Sequence, residues 1–261
     1  SLPAPTITGS TSVCTGATNV TYSTEQGMVN YQWSVSAGGV ITSGSNTYMI
    51  TVTWNSPGVQ GVTVNYTDAH GCTAPVPANL PVTVNAVPVP TITGNTQPCM
   101  TSGNYTYSTE QGMQNYNWTV SPGGLIVGGQ GTRNVQVYWT ASGAQSVSVV
   151  YTSAAGCQAL ITSLPVSVKP LPGTPGPVSG DTLICKPLNG VIYSVDTIPG
   201  AIGYDWAIPA GATIVSGSNT NIITVNYGTA AQSGNISVFG VNTCGNGPYS
   251  PVLHVSVHPY P

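Results

Sequence analysis

The chain has 261 residues, of which only three are Lys or Arg and six are Asp or Glu, for a formal net charge of −3. So few cations leave no electrostatic footprint for nucleic acid or an anionic membrane surface, and no run of 18 apolar residues is present to cross a bilayer as a helix. Ser, Thr, Asn, Gly and Val fill the gap left by the missing charges, and no window carries a 3.6-residue apolar period, so the composition points to an all-β protein.

In chain order, Thr6-Ile7-Thr8-Gly9 reads as a short strand that leads to Cys14. A strand with Val20 and Tyr22 follows, then Tyr31-Gln32-Trp33-Ser34-Val35, whose apolar residues alternate ahead of the turn Ser36-Ala37-Gly38-Gly39. A brief apolar pair, Val40-Ile41, precedes the alternating strand Ile50, Val52 and Trp54. Val62, Val64 and Tyr66 lead to Cys72, and Leu80, Val82 and Val84 close the series.

The same succession recurs twice. Tyr116-Asn117-Trp118-Thr119-Val120 and Tyr204-Asp205-Trp206-Ala207-Ile208 repeat the tryptophan strand at a period of roughly 85 to 88 residues. Residues 21–28 and 106–113 share Thr-Tyr-Ser-Thr-Glu-Gln-Gly-Met, whereas the third copy has Tyr193-Ser194-Val195-Asp196 and is the more distant one. The period divides the chain into expected domains at 1–87, 88–172 and 173–261. About seven short strands per repeat, in a Cys…Trp…Cys order, predict three tandem immunoglobulin-like β-sandwiches in an extended array, with a small closed barrel as the alternative. The linkers Ala86-Val87-Pro88-Val89-Pro90 and Pro170–Pro177 are Pro-rich and expected to be extended and semi-rigid, the second, with two glycines, the more pliable. The last strand, Val255-Ser256-Val257, and the prolines after it echo the segments before both linkers, so further repeats of the same long chain are expected partners.

Six cysteines fall two to a repeat: Cys14 and Cys72, Cys99 and Cys157, Cys185 and Cys244. Their separations of 58, 58 and 59 residues and the absence of a CxxC pair argue against zinc and for one disulfide within each domain. Disulfides persist in oxidising compartments, which points to an extracellular or cell-surface protein.

The Tyr-x-Trp-x-Val strand, the Gly-Gly behind it, the Ile-x-Val-x-Trp strand and the flanking cysteines resemble the PKD-like, Ig-like repeats of very large surface proteins of Bacteroidetes-type bacteria. That resemblance spans all three repeats and implies a segment of a gliding-motility adhesin or another substrate of type IX secretion. One departure stands out. Better-known PKD domains follow the tryptophan strand with Gly-Asp-Gly, where this chain has Ala37-Gly38-Gly39 and Pro122-Gly123-Gly124, so no calcium role of that aspartate is carried over.

Candidate chemistry is sparse. The tryptophans Trp33, Trp118, Trp206, Trp54 and Trp139 share strand parity with aliphatic residues, so core packing is expected and a sugar-binding aromatic row is not. Asp68 and His70 precede Cys72, but the second repeat has Ser153 and Ala155 there, and no repeat offers a convincing carboxylate pair for glycosidase chemistry or an oxygen cluster for calcium. No cofactor and no metal are expected, and the chain reads as non-enzymatic. Asp181-Thr182-Leu183 and Asp196-Thr197-Ile198 resemble the O-glycosylation acceptor of Bacteroidetes surface proteins, making Thr182 and Thr197 candidate modification sites. Lys169 and Lys186 both precede proline, which leaves Arg133-Asn134 as the one ordinary trypsin-type site.

Three functions fit these features. The first is a structural stalk of a long secreted adhesin. The second is a set of accessory, carbohydrate-binding modules of a secreted polysaccharide- or protein-degrading enzyme. The third is a self-assembling filament, in which neighbouring chains or repeats pack laterally. Surface glycans or lateral copies of the chain are the further partners expected.

Overall fold

Alternation of apolar and polar residues over four to ten positions produces strands, and the computed structural model, which describes residues 2–260, contains no helix among them. Ser1 and Pro261, the outermost residues of the first and third expected domains, lie outside that range. In the first repeat β1 (Thr8–Gly9), β3 (Val20–Ser23), β5 (Gly39–Ser43) and β6 (Met49–Trp54) form one sheet in the order β1-β3-β6-β5. The facing sheet has the order β2-β8-β7-β4, from β2 (Ser12–Cys14), β4 (Val29–Val35), β7 (Gly58–Thr67) and β8 (Ala78–Asn85). The chain therefore switches sheets between Gly9 and Ser12, and β2 runs parallel to β8 with Cys14 opposite Asn85.

The second repeat builds two three-stranded sheets, β11-β12-β9 and β10-β13-β14, from β9 (Asn104–Ser108), β10 (Gln114–Val120), β11 (Gly124–Gly128), β12 (Asn134–Trp139), β13 (Gly143–Thr152) and β14 (Thr162–Val168). Its counterparts of β1 and β2 shrink to single bridges, Thr93 to Ser108 and, in parallel, Cys99 to Lys169. The third repeat restores both edges. Its first sheet is β15 (Ser179–Gly180), β17 (Leu188–Ser194), β20 (Ile222–Tyr227) and β19 (Ala212–Ser216), and its second is β16 (Leu183–Lys186), β23 (Leu253–Pro259), β21 (Gly234–Asn242) and β18 (Gly203–Ala207), with β22 (Gly245–Asn246) hairpinned onto β21.

Each repeat has its own core, and among the described residues no buried cluster spans two of them. The tryptophan-strand parity holds: Trp33, Trp118 and Trp206 are buried while Gln32, Ser34, Asn117, Thr119, Asp205 and Ala207 face solvent. Each buried indole N–H donates to a backbone carbonyl 14 residues on, that of Thr47, Thr132 or Thr220, at 2.8, 2.8 and 2.9 Å, so burial leaves no orphan donor. Trp54 and Trp139 lie edge-on to Tyr22 and Tyr107, with centroids 6.3 Å apart in both pairs, and donate to the phenol oxygens. In the third repeat Tyr227 replaces that tryptophan and keeps the hydrogen bond, its hydroxyl 2.9 Å from that of Tyr193.

Two recurrent glycines explain part of the repeat signature. Gly39 and Gly124 lie against Trp54 and Trp139 so closely that an added Cβ would sit 2.6 and 2.7 Å from the indole ring. Gly44, Gly129 and Gly217 have φ of 78 to 79° and turn the chain into the next strand, where a Cβ would meet a carbonyl oxygen at 2.0 Å.

Candidate functional site

The residues that could carry function gather at the two poles of each sandwich, where one repeat meets the next. Strand β8 runs from Ala78 to Asn85, and its two ends mark those poles. Cys14 lies beside Asn85 at the exit pole. Cys72 lies at the opposite pole, in the turn after β7, where Asp68 N–H donates to the Cys72 carbonyl at 2.8 Å and Asp68 Oδ1 accepts from Cys72 N–H at 2.9 Å. Eight residues of strand hold the two cysteines roughly 23 Å apart at 3.3 Å per residue, far beyond the Cα separation of about 4.4–6.8 Å that a disulfide allows.

The expected one-disulfide-per-domain pairing is therefore corrected. Cys14 is bonded to Cys157, with Cα atoms 5.6 Å apart, and Cys99 to Cys244, at 5.3 Å. The first cysteine of a repeat joins the second cysteine of the following repeat. Cys72 and Cys185, expected in disulfides with Cys14 and Cys244, are free thiols, the first half-buried and the second exposed.

Each strap runs beside a linker. Cys157 Sγ lies 4.0 Å from the carbonyl oxygen of Asn85, where linker 86–90 begins, and Cys244 Sγ lies 3.9 Å from that of Lys169, where the second linker begins. On the first repeat both connections leave from neighbouring strands, β2 and β8. On the second they land on different sheets: Cys157 follows β13, whereas Thr93 bridges Ser108 of β9. Two ties that diverge in this way resist twisting and bending at a junction that one flexible tether would leave free.

The shared Thr-Glu-Gln-Gly-Met loop supplies a second fastening at the same pole. Glu110 accepts from Thr91 N–H at 2.9 Å, from the Thr91 hydroxyl, from Thr109 Oγ1 at 2.6 Å and from the Tyr151 hydroxyl at 2.9 Å. Thr91 is the first residue after the linker, so the carboxylate clamps the incoming chain to the sandwich. Glu25 does the same in the first repeat, accepting from Thr6 N–H at 3.2 Å and from Thr24 Oγ1 at 2.7 Å. Burial works against ionisation of both carboxyls, but the Thr hydroxyls and backbone N–H groups outweigh it and hold each at about 2. Burial, with the facing Glu25 carboxylate adding to it, pushes the Tyr66 phenol up to about 12.

The third repeat abandons this clamp. Asp196 stands where Glu25 and Glu110 stand, but Pro177 replaces the threonine and offers neither an N–H nor a hydroxyl. There an open cleft of about 320 Å³ is lined by Pro177, Ser179, Asp196 and Asn221. Gly240 takes the place of Tyr66 and Tyr151, and linker residue Pro172 packs where their side chains would be, 3.0 Å from a Cβ built on Gly240. Asn242 Nδ2 donates to the Pro170 carbonyl at 3.1 Å, and Gly173 N–H donates to Pro199 at 2.8 Å. The second linker is thus docked on the third sandwich, despite the two glycines that suggest the more pliable connection.

The remaining candidates stay separate from these poles' chemistry or lack a partner. Asp68 Oδ2 lies 3.9 Å from His70 Nδ1, but the imidazole is 88 % exposed and the carboxylate is spent on the turn that presents Cys72. Thr182 and Thr197 are both exposed, Thr182 just before β16 and Thr197 in the loop between β17 and β18. Among the described residues no three His, Cys, Asp or Glu side chains gather as a metal site.

A family model described as PKD-like domain matches residues 1–82, 85–166 and 171–255. No curated protein matches the sequence. Among solved structures, titin domains I67–I69 in an E-to-A mutated variant are 12 % identical over 98 % of this chain and 99 % of theirs, with a TM-score of 0.45. FdeC, described as an Escherichia coli adhesin, is 14 % identical over 98 % of this chain and 96 % of its own, with a TM-score of 0.39. A Bacteroides ovatus protein, SGBP-B, solved with a mixed-linkage heptasaccharide, is 12 % identical over 99 % of this chain and 71 % of its own, with a TM-score of 0.24.

Proposed function

The chain belongs to the PKD-like domain family in all three of its repeats, and from that premise we propose that it is a non-catalytic spacer of an extracellular, surface-attached protein of adhesin type. The observation that carries this reading is the pair of inter-repeat disulfides, Cys14–Cys157 and Cys99–Cys244. A bond spent on a junction adds nothing to the interior of either sandwich. Its effect is to hold consecutive modules in a set direction, as a stalk requires. The oxidised cysteines support an extracellular setting. The scarcity of cations supports persistence there, since Arg133 is the one Lys or Arg not followed by proline.

Small-angle scattering of the oxidised chain tests the stalk. Three sandwiches end to end, each with strands of up to ten residues and hence roughly 33 Å long, form a particle on the order of 100 Å long. A compact globule would remove the reading. A glycan array adds a separate arm, since strong sugar binding would move the chain to the class of carbohydrate-binding modules.

A further inference from the structure

The two free thiols are not isolated features, because each occupies a position that is bonded elsewhere in the same chain. Cys185 is the first cysteine of its repeat and lies beside His258 in the parallel pair β16–β23, as Cys14 lies beside Asn85 and Cys99 beside Lys169. Cys72 is the second cysteine of its repeat, and the turn that presents it is the one that presents Cys157. In both turns the residue four positions earlier donates its N–H to the cysteine carbonyl at 2.8 Å and accepts the cysteine N–H on its side chain, Asp68 Oδ1 at 2.9 Å and Ser153 Oγ at 3.2 Å. Cys14, Cys99, Cys157 and Cys244 show what these two positions do when a neighbouring repeat is present.

We propose that Cys185 and Cys72 are the two open halves of a third strap of the same kind. Each takes the complementary cysteine of another PKD-like repeat set end to end, and a second copy of this chain supplies both halves. In that pairing the third repeat of one copy precedes the first repeat of the next, and Cys185 is bonded to Cys72 head to tail. The interface is heterologous, so it leaves one open half at each end and extends the array. The bond needs an oxidant, and a small-molecule disulfide such as oxidised glutathione serves. The Cys185 thiolate attacks one glutathione sulfur and releases glutathione thiolate; the Cys72 thiolate of the other repeat then attacks the Cys185 sulfur and releases the second. Two protein thiols lose two protons and two electrons, and one oxidised glutathione becomes two reduced molecules. This proposal rests on the strap geometry alone, so its failure would leave the scattering test of the stalk untouched.

The test uses C72S and C185S, each with both internal disulfides intact and with Trp emission checked against the parent chain. In a glutathione redox buffer neither variant alone is expected to couple, and the mixture is expected to give one disulfide-linked heterodimer carrying a Cys185–Cys72 peptide. A parallel arm joins two copies of the chain in tandem through the 86–90 linker sequence. Coupling in the mixture assigns the strap to separate chains. Coupling in the tandem alone assigns it to neighbouring repeats of one polypeptide. If neither arm forms the Cys185–Cys72 bond, or if either single variant dimerises as readily as the mixture couples, the proposal is overturned.

Discussion

Cys14 is bonded to Cys157, 143 residues away, while Cys72 of its own repeat sits at the far end of β8. The cause is the sheet switch between Gly9 and Ser12, which places β2 parallel to β8 and carries Cys14 to the pole where the chain leaves the sandwich. Disulfides and linkers therefore share the junctions, and the three cores are left to hydrophobic burial and their buried indole hydrogen bonds.

Reduction of the chain is expected to loosen the array without unfolding it. Since both disulfides join different repeats, near-ultraviolet circular dichroism and Trp emission should change little on adding reductant, while the distance distribution from scattering broadens. Loss of the tertiary signal on reduction would show that the cores depend on the bonds.

The Glu clamps predict an acid-sensitive loss of stability. A carboxyl held at about 2 when folded, against an ordinary value near 4.3, contributes stability that is fully present above the ordinary value and is lost as pH falls from about 4.5 towards 2. Denaturant unfolding should show this slope, and E110Q should lower stability at pH 7 while flattening the slope in the second repeat. The third repeat, with Pro177 in place of the clamped threonine, lacks this clamp. Tyr66, pushed up to about 12, adds an alkaline limit, since stability from its neutral phenol is present below pH 10 and lost between about 10 and 12.

Substituting Gly124→Ala is expected to cost about 1–3 kcal/mol, because the new methyl lands 2.7 Å from the fully buried Trp139 ring. In a domain of this size that lowers one thermal transition by roughly 4–8 °C per kcal/mol. Gly176→Ala in the second linker, where no atom beyond the adjoining residues lies within 4 Å of the new methyl, should shift no transition by more than about 0.5 kcal/mol. Equal effects at the two positions would contradict the packing described for the indole.

Strand parity was legible in the sequence because a period of two leaves little choice once Trp33 and Val35 share a face. The cysteine pairing was not. Bonds within repeats and bonds between them both join a first cysteine to a second one, so even spacing fits either. The distinguishing signal lies in the turn Asp68-Ala69-His70-Gly71, which ends β7 before Cys72 and moves that thiol out of the strand to the pole. The clamp was half legible. The shared Thr-Glu-Gln-Gly-Met run marks the loop, but its partners Thr91 and Tyr151 are 19 and 41 residues from Glu110, and only the fold brings them to it.

The inter-repeat strap is tested most directly by one cut and one substitution. In C99S, with free thiols alkylated and the chain unfolded in urea, trypsin cleaves at the exposed Arg133 into residues 1–133 and 134–261. With Cys99 removed, Cys14–Cys157 is the bond of the structure that still joins them. The two fragments are expected to migrate together on a non-reducing gel and to separate only with reductant. Fragments that separate without reductant would mean that Cys14 is not bonded to Cys157, and would contradict the strap.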